Sequence, residues 1–371
     1  MLSQIWACLT CSQTPSFVLS GRRYEIQKLL GEGGFSYVYL VEEEGTRKLY
    51  AMKKIRCVFG GESVASAMRE VNSCNLFKYS PLVISCIDSQ VVQEQDGTKT
   101  VLILLPYYAN GSLQDRITDN MINDSSFNEK EVIQYGLGAA RAIAVMHHYR
   151  DTNSSNDDDD ATAAVHSNNN LSSNNSNSNS NRGKQKQKQK QKQKLKQRNE
   201  EEVGLLADDD LRLGELVPYA HRDIKPANIM FDDNDELILM DLGSCSKARV
   251  DVTSRQQAVE LQDIASEHCT LPYRAPELFD VRTGSKLNEK VDVWGYGCTL
   301  YTIMYSASPF EREEQVMGAN INIAITRGKF SFPSSPYYSD QLKNVVTKCL
   351  QIDPAARPTI DEVIEMLEAL Q

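Results

Sequence analysis

An acid, a base and an amide stand close together in the sequence HRDIKPAN, which spans residues 221–228. Asp223 can orient a hydroxyl group and accept its proton, and Lys225 can steady a phosphoryl group in transit. Asn228 can supply an oxygen ligand to Mg²⁺. Because Pro226 restricts the loop between these side chains, their spacing predicts a fixed site for phosphoryl transfer to a hydroxyl.

A second acidic residue, Asp241, follows the apolar sequence LILM and precedes Leu242 and Gly243. The apolar run predicts a buried strand, which would place the Asp241 carboxylate at the end of that strand. Hydrated Mg²⁺ with phosphate ligands requires a hard oxygen ligand of this kind. Asp241 and Asn228 are therefore candidate metal ligands.

A glycine-rich sequence, GEGGFSYV at 31–38, lies between two strand patterns. Glycines let backbone N–H groups approach phosphate oxygens closely, although a hairpin turn is the commoner explanation of such a sequence. Lys53 follows on the next strand and could bind those phosphates, or it could be a solvated edge residue. Glu70 on the following helix could hold Lys53 by an ion pair, or it could be an ordinary surface residue.

The predicted secondary structure that would position these residues changes from mainly strands to mainly helices along the chain. Strand patterns at 24–30, 48–55 and 101–105 surround one helical pattern between 62 and 77. These patterns predict a small sheet with a single helix in the first part of the chain.

Helical patterns dominate the second half. Asn128 with Glu131 predicts a capped start for an Ala-rich helix that runs to about His148. The run at 291–305 predicts another helix that is apolar on all sides and therefore buried. A final helix begins at Thr359, and its predicted capping partner and buried residues are Glu362, Ile360, Val363, Ile364 and Leu367.

Three further residues would anchor the far end of a loop. They are Glu277 in the sequence APE, Asp292 in the sequence DVW, and Arg357. A buried pair between Glu277 and Arg357 would be structural, because removing one partner would leave a costly buried charge.

Composition restricts the class of protein. The 371 residues are 41% hydrophobic and 24% charged, and no apolar run is longer than 101–105, so we expect a globular protein without a membrane-spanning helix. Nine scattered cysteines and no secretory signal predict a reducing, cytosolic setting. The net charge of −10 disfavours a polynucleotide-binding body, so we expect no nucleic acid as partner.

Residues 151–216 differ from the rest of the chain. An Asn/Ser tract at 168–181 leads into alternating lysines and glutamines, with acidic clusters on both sides. Too few apolar side chains are present to offset the entropy of ordering, so we predict a disordered insert. Its lysines could bind phosphates or a membrane surface, but a solvated spacer is the favoured interpretation. Without this insert and a tail at 1–23, the remaining length fits one two-lobed enzyme.

In this order the motifs resemble those of the eukaryotic protein kinase family, over residues 24–371 apart from the insert. The resemblance implies an α+β fold with a small antiparallel-sheet lobe at about 24–108 and a larger, mainly helical lobe at about 109–371. ATP would bind between the lobes with Mg²⁺, and the substrates would be proteins. Lys225 after the predicted base resembles the serine/threonine subgroup.

The resemblance also implies a role for each motif residue. Asp223 would be the catalytic base, Lys53 would bind the α- and β-phosphates, and Glu70 would pair with Lys53. Asn228 and Asp241 would bind magnesium. The remaining residues of the ATP site come from the glycine-rich sequence, the strand of Lys53 and the hinge, and are Gly31, Glu32, Gly33, Gly34, Phe35, Ser36, Val38, Ala51, Leu105, Pro106 and Tyr108.

The segment from Asp241 to Phe279 is similar to the Numb-associated kinase family, and within it to the small lipid-anchored kinases of Golgi and fungal vacuolar membranes. Residues 256–267 of this segment have helical character. The subgroup implies autophosphorylation, and Arg222 could pair with the resulting phosphate. The candidate acceptors, between which the sequence does not decide, are Thr270, Ser266, Thr253 and Ser254.

The tail could attach the protein to a membrane. Leu2 stands where myristoylation requires glycine, so that modification is excluded. A short amphipathic pattern beside Cys8 and Cys11, followed by Arg22 and Arg23, favours palmitoylation at an anionic membrane. A functionless terminus and, more remotely, a redox or zinc half-site are the alternatives. The expected location is the cytosolic face of vacuolar or Golgi membranes.

We therefore expect a serine/threonine kinase that transfers the γ-phosphoryl group of ATP to proteins, phosphorylates itself and acts in trafficking or membrane fusion. The alternative is a catalytically weak scaffold of the same fold, which the presence of Lys53, Asp223 and Asp241 disfavours. The sequence leaves open the substrates, the membrane, the oligomeric state and any regulatory role of the insert.

Overall fold

The computed structural model describes residues 15–151 and 214–371. The chain divides into one unit that ends at His148 and resumes at Pro218, and a second unit that spans Tyr149–Val217. The predicted acylation sites and most of the predicted insert lie outside the described residues. Within the described ranges, no helix has both the length and the apolar character needed to span a bilayer.

A six-stranded antiparallel sheet forms the first part of the larger unit, with the strand order β1-β2-β3-β4-β6-β5. One of its faces forms a core that includes Leu19, Val41, Met52 and Leu104. The apolar run at 101–105 is buried along its whole length in β6, as predicted. The strands are β1 (Ser16–Leu19), β2 (Arg22–Glu32), β3 (Ser36–Glu43), β4 (Leu49–Cys57), β5 (Asp88–Gln93) and β6 (Lys99–Pro106).

The sheet begins before residue 24, where we placed the end of the tail. β1 pairs with the start of β2, Leu19 is fully buried, and the ring of Phe17 lies 5.5 Å from that of Tyr39. The sequence did not indicate this strand because four residues give too few alternations to establish a period of two.

The two arginines that we expected beside a membrane lie in this sheet. Arg22 forms an ion pair with Glu43 at 2.9 Å, and Arg23 lies 3.9 Å from Glu44. Because each arginine has a neighbouring carboxylate, the positive charge of the predicted tail is largely balanced within the sheet. The basic pair therefore no longer supports attachment to an anionic surface.

One helix, α1 (Gly61–Leu76), packs against β4 and β6. Its buried residues include Ala67, Glu70 and Val71, which share one face at helical spacing. The burial of Glu70 on this apolar face requires a charged partner.

Helices predominate after β6 in the larger unit, which confirms the predicted α+β class. Asn128 and Thr359 each begin a helix with a capping box, as predicted from their spacing to Glu131 and Glu362. The helices are α2 (Leu113–Ile122), α3 (Glu129–His147), α4 (Arg255–His268), α5 (Lys290–Tyr305), α6 (Pro309–Met317), α7 (Ile321–Arg327), α8 (Asp340–Cys349) and α9 (Ile360–Glu368).

The helical core is centred on α5, in which every residue from Val291 to Tyr305 is buried. The Tyr296 hydroxyl donates to the carbonyl of Gly136 in α3 at 3.0 Å, which satisfies a polar group in this apolar interior. α9 buries three of the four residues predicted for its apolar face, whereas Ile364 is half-buried. Ile364 lies toward the edge of that face and keeps part of its side chain in solvent.

Short strand pairs hold the loops between α3 and α5. β10 (Ile229–Phe231) and β11 (Leu237–Leu239) form a hairpin, and β9 (Tyr219–Ala220) pairs with β12 (Ser246–Lys247). A further pair joins β13 (Val250–Asp251) to β14 (Lys286–Leu287).

Free cysteines occur throughout the described part of the larger unit. Six of them are buried: Cys57, Cys74, Cys245, Cys269, Cys298 and Cys349. Cys86 is half-buried.

The described part of the second unit is a short antiparallel pair of strands, β7 (Arg150–Asp151) and β8 (Glu215–Leu216). Val217 N–H donates to the Tyr149 carbonyl at 2.9 Å, which extends the pairing by one bond. The segments 149–151 and 215–217 therefore lie side by side.

Candidate active site

The loop at 221–228 is held by a buried carboxylate of α5. Both oxygens of Asp292 accept backbone N–H groups, from His221 and from Arg222, each at 2.7 Å. The imidazole of His147 lies 3.1 Å from Asp292 in the same buried region. Burial would raise the pKa of Asp292, but the interactions with His147, together with His221 and the backbone N–H of Arg222, outweigh burial and lower that pKa below its ordinary value. Arg222 has a positive φ of 68°, which Asp292 helps to maintain by binding its N–H.

Asp223 is nearly buried, and both of its carboxylate oxygens accept hydrogen bonds. Oδ2 accepts from the Lys225 ammonium at 2.7 Å and from the Asn228 amide at 3.0 Å. Oδ1 accepts from the backbone N–H of Thr270 at 2.8 Å. The Lys225 ammonium also contacts the Thr270 hydroxyl at 2.6 Å. The structure thus brings the acid, base and amide predicted from the sequence into one hydrogen-bonded group.

A second charged group forms where the sheet faces this loop. Nζ of Lys53 lies 2.7 Å and 2.9 Å from the two oxygens of Glu70, and 3.0 Å from Oδ1 of Asp241. β4 positions the lysine, and α1 positions the glutamate. The ion pair between Lys53 and Glu70 that the sequence predicted is therefore present.

The positive charge of Lys53 and the negative charge of Asp241 stabilise each other, whereas burial and the charge of Asp241 raise the pKa of Glu70. Burial opposes the charged form of Lys53, but Asp241 and Glu70 outweigh it and raise the pKa of Lys53. Partial desolvation by the surrounding protein opposes the charged form of Asp241, although its side chain stays about half exposed, and the charge and hydrogen bond of Lys53 lower its pKa to about 2. Both groups are therefore ionised at neutral pH.

Asn228 and Asp241 fit the requirements of a metal site. Asp241 has a left-handed conformation, with a φ of 55°, at the start of a 3₁₀ turn, and its side chain remains about half exposed. The Asn228 amide nitrogen donates to both the carbonyl and Oδ2 of Asp223, so the amide oxygen is the atom of this side chain that could ligate a cation. Met240 N–H donates to the Asn228 carbonyl at 2.8 Å and so links the two candidate ligands through the backbone.

The glycine-rich sequence forms the turn between β2 and β3. Gly33 N–H donates to the Ser36 carbonyl at 2.7 Å and closes the turn. Gly31 and Gly34 have open space where a side chain would project, which suits a close backbone approach to phosphates. The tip residue Phe35 is about half exposed and contacts the ring of Phe59 edge to face at 5.8 Å.

The predicted adenine side of the site lies on two paired strands. Ala51 in β4 is directly opposite Leu105 in β6, and both are buried. Pro106 ends β6, and Tyr108 follows it half-buried. Val38 in β3 is opposite Lys53, so the strand register places these predicted ATP contacts near one another.

A cavity of about 1290 Å³ opens between the glycine-rich turn, α1 and α4. Its lining includes Ser36, Lys53, Glu70, Asp223 and Asp241. Four charged residues predicted from separate motifs, Lys53, Glu70, Asp223 and Asp241, therefore border a single space, whereas the predicted adenine contacts Ala51, Leu105 and Tyr108 do not line it.

The candidate phosphorylation sites differ in their surroundings. Thr253 is exposed, and Ser254 caps α4 by accepting from Gln257 N–H at 3.2 Å. Ser266 is exposed in the last turn of α4. Thr270 is bound to both Asp223 and Lys225, so its hydroxyl already has a partner in this conformation.

Glu277 and Arg357 form the pair expected at the far end of this segment. The two terminal nitrogens of Arg357 each lie 2.7 Å from a different carboxylate oxygen of Glu277. The arginine side chain is fully buried and lies 5.0 Å from the Trp294 ring. We grouped Asp292 with this pair, but Asp292 instead binds the loop at 221–228.

Two residues with direct links to the site were not predicted. His147 contacts the Asp292 carboxylate, and Nη2 of Arg274 donates to the Cys269 carbonyl at 2.9 Å. Two adjacent histidines, His147 and His148, follow the apolar second half of this helix, and the sequence does not show which of them is buried. Arg274 carried no signal beyond its place before the APE sequence.

Comparison with known proteins gives consistent matches. Residues 24–156 and 218–367 match the family described as protein kinase domain. Serine/threonine-protein kinase ENV7 of Saccharomyces cerevisiae is 39% identical, over 95% of this chain and 93% of that protein. Serine/threonine-protein kinase ppk13 of Schizosaccharomyces pombe is 36% identical, over 94% and 91%. Serine/threonine-protein kinase 16 of Mus musculus is 29% identical, over 98% and 95%.

Proposed function

The chain belongs to the protein kinase family and is a serine/threonine protein kinase, and on this basis we propose that Asp223 is its catalytic base. Asp223 would accept the proton of a substrate hydroxyl as the new O–P bond forms and the bond to the ADP oxygen breaks. Lys225 would stabilise the charge of the migrating phosphoryl group. The hydrogen bonds that fix both oxygens of Asp223 support this role most directly.

ATP would bind with its phosphates against the glycine-rich turn and Lys53. The pair with Glu70 supports this placement because it holds the lysine in one orientation. Asn228 and Asp241 would hold Mg²⁺, and a bound magnesium ion would neutralise charge on the phosphate oxygens.

An autophosphorylation assay with radiolabelled ATP tests the assignment of Asp223. Asp223→Asn should lower transfer by about 100- to 10,000-fold, leave a small residual rate and retain nucleotide binding, because an amide cannot take the proton of the substrate hydroxyl. Asp233→Asn, in the exposed loop after β10, is the matched control and should keep wild-type turnover. Near-wild-type turnover of Asp223→Asn would refute the assignment.

The same assay tests the scaffold alternative. A catalytically weak scaffold would bind partners while transferring little phosphate, and its wild-type signal would not exceed that of Asp223→Asn. The ionised Lys53 and Asp241 favour catalysis.

We also propose that the kinase belongs to the Numb-associated kinases and phosphorylates its own segment between Asp241 and Glu277. The exposure of Thr253 and Ser266 favours these two acceptors over Thr270, which is bound to the predicted base. Mass spectrometry of the autophosphorylated chain tests this order. Phosphate found on Thr270 alone would contradict it.

Palmitoylation of Cys8 and Cys11 would place the kinase on the cytosolic face of vacuolar or Golgi membranes, where we propose that it acts in trafficking or fusion. The spacing of the two cysteines beside apolar residues supports this proposal. Cys8→Ser with Cys11→Ser should move the protein from the membrane fraction to the supernatant, while Cys86→Ser should not. Retention of the double variant on membranes would exclude acylation at these sites as the anchor.

A further inference from the structure

The peptide group that joins Cys269 to Thr270 is bound at both of its polar ends. Its N–H, carried by Thr270, donates to Oδ1 of Asp223 at 2.8 Å. Its carbonyl oxygen, carried by Cys269, accepts from Nη2 of Arg274 at 2.9 Å. Because a peptide group is planar and rigid, the partner of the carbonyl constrains the direction of the N–H.

Several contacts fix the Arg274 side chain. The same Nη2 lies 3.2 Å from the Ser266 carbonyl in the last turn of α4, where carbonyls lack helical partners and favour a cation. The guanidinium carbon lies 5.2 Å from the Phe279 ring centre. The backbone N–H of Arg274 closes the preceding turn on Leu271 at 3.2 Å. Arg274 therefore ties the end of α4 to the loop that reaches Asp223.

We propose that Arg274 is a positioning residue for phosphoryl transfer, which holds Asp223 in its reactive orientation through the peptide group of Cys269 and Thr270. A charged donor on the carbonyl polarises the peptide group and strengthens its N–H as a donor to the carboxylate. Without that donor the peptide group can turn, and Oδ1 of Asp223 loses its only hydrogen bond among the described residues. The carboxylate would then be held through Oδ2 alone.

Replacing Arg274 by lysine distinguishes a role in positioning Asp223 from a role in the stability of the fold. The Nε group of Arg274 is buried and has no hydrogen-bond partner among the described residues, which is a cost that lysine does not carry. A lysine retains the positive charge near the end of α4 but lacks the planar guanidinium that lies near the Phe279 ring and orients Nη2 toward the Cys269 carbonyl. Arg274→Lys is therefore expected to unfold at nearly the wild-type temperature and yet to turn over more slowly.

Steady-state kinetics of the full chain with ATP and a protein substrate test the proposal. Arg274→Met should lower kcat by about tenfold or more and change KM for ATP by less than about twofold, with Arg274→Lys between wild type and Arg274→Met. Arg282→Met is the matched control, because Arg282 is exposed and pairs with Asp280, and its kcat should not change. An unchanged kcat in both Arg274 variants overturns the proposal, as does a loss that appears only as a raised KM for ATP.

Single-turnover measurements in an Asp223→Asn background test whether Arg274 affects phosphoryl transfer through Asp223. If Arg274 acts through Asp223, adding Arg274→Lys to Asp223→Asn should cause little further loss. A further loss as large as in the wild-type background overturns the proposal. The proposal rests on the proposed role of Asp223. Wild-type turnover by Asp223→Asn refutes that role. A strongly impaired Asp223→Asn beside a fully active Arg274→Met refutes only the role of Arg274.

Discussion

Asp223 illustrates how much a single side chain depends on groups that are distant in sequence. Its Oδ2 is bound by local residues, Lys225 and Asn228, whereas its Oδ1 is bound by Thr270 from the segment after α4. The loop alone therefore leaves half of the carboxylate unconstrained. Activity should consequently depend on the position of α4 as well as on the loop.

The buried pair of Glu277 and Arg357 gives a stability prediction for a residue outside the site. Glu277→Gln leaves the buried guanidinium without its counter-charge, so we expect a loss of about 3–5 kcal/mol in the free energy of unfolding, measured by urea denaturation. Arg141 and Glu368 form an exposed pair, so Glu368→Gln should cost about 1 kcal/mol or less. Equal losses in the two variants would show that burial does not determine the contribution of the Glu277 pair.

Spacing predicted those parts of the site that are local in sequence. Asp223, Lys225 and Asn228 belong to one loop, so their types and separation were sufficient to indicate that they act together. Lys53 and Asp241 meet across the site at 3.0 Å, and the resemblance to a family assigned both to one site without indicating this contact. Arg274 escaped prediction because its role depends on which carbonyl its guanidinium reaches, and no local pattern encodes that contact.

Hydrophobic patterns predicted a helix or strand wherever the element was long enough to show its periodicity. α3 was predicted from its cap and its apolar residues almost to its ends, and α4 was predicted from helical character alone. The pairs of two-residue strands, such as β9 with β12, could not be predicted, because two residues establish no period. Such short pairs are set by the loops that they join.

The packing of α5 against α8 predicts a strong response to one added methyl group. A Cβ at Gly297 would lie 2.7 Å from the Cβ of Cys349 and 3.0 Å from a methyl group of Leu350. Gly297→Ala should therefore lower the free energy of unfolding by about 1–3 kcal/mol through overpacking.

Gly61→Ala in α1 is the matched control for Gly297→Ala. A Cβ at Gly61 meets no atom within 4 Å, so alanine should be neutral or stabilise by up to about 1 kcal/mol through helix propensity. Urea denaturation of both variants measures the difference. A stabilised Gly297→Ala variant would show that α8 can shift to accommodate the methyl group.

At the scale of the whole molecule, the predicted insert begins and ends in two paired strands, β7 and β8. Asp151 is opposite Glu215, and the Arg150 guanidinium donates to the Gly214 carbonyl at 3.1 Å. Because β7 and β8 hold these two ends side by side, we expect a short connection to be able to join them.

Deletion of residues 152–213, with a short Gly/Ser linker from Asp151 to Gly214, should leave turnover within about twofold of wild type. Closing a shorter loop costs less entropy, so the free energy of unfolding should rise by about 1–2 kcal/mol. Kinase assays and urea denaturation of the shortened chain measure both effects. A large loss of turnover in a folded variant would show that the insert contributes to catalysis.

The burial of the cysteines has a practical consequence for handling the protein. Burial raises the pKa of Cys245, Cys269 and Cys349 to about 12, so their reactive thiolates are scarce at neutral pH. A maleimide applied briefly to the native chain should spare the six buried thiols, whereas the unfolded, unacylated chain offers all nine. The difference between the two label counts by mass spectrometry therefore measures the folded fraction of a preparation without nucleotide or substrate.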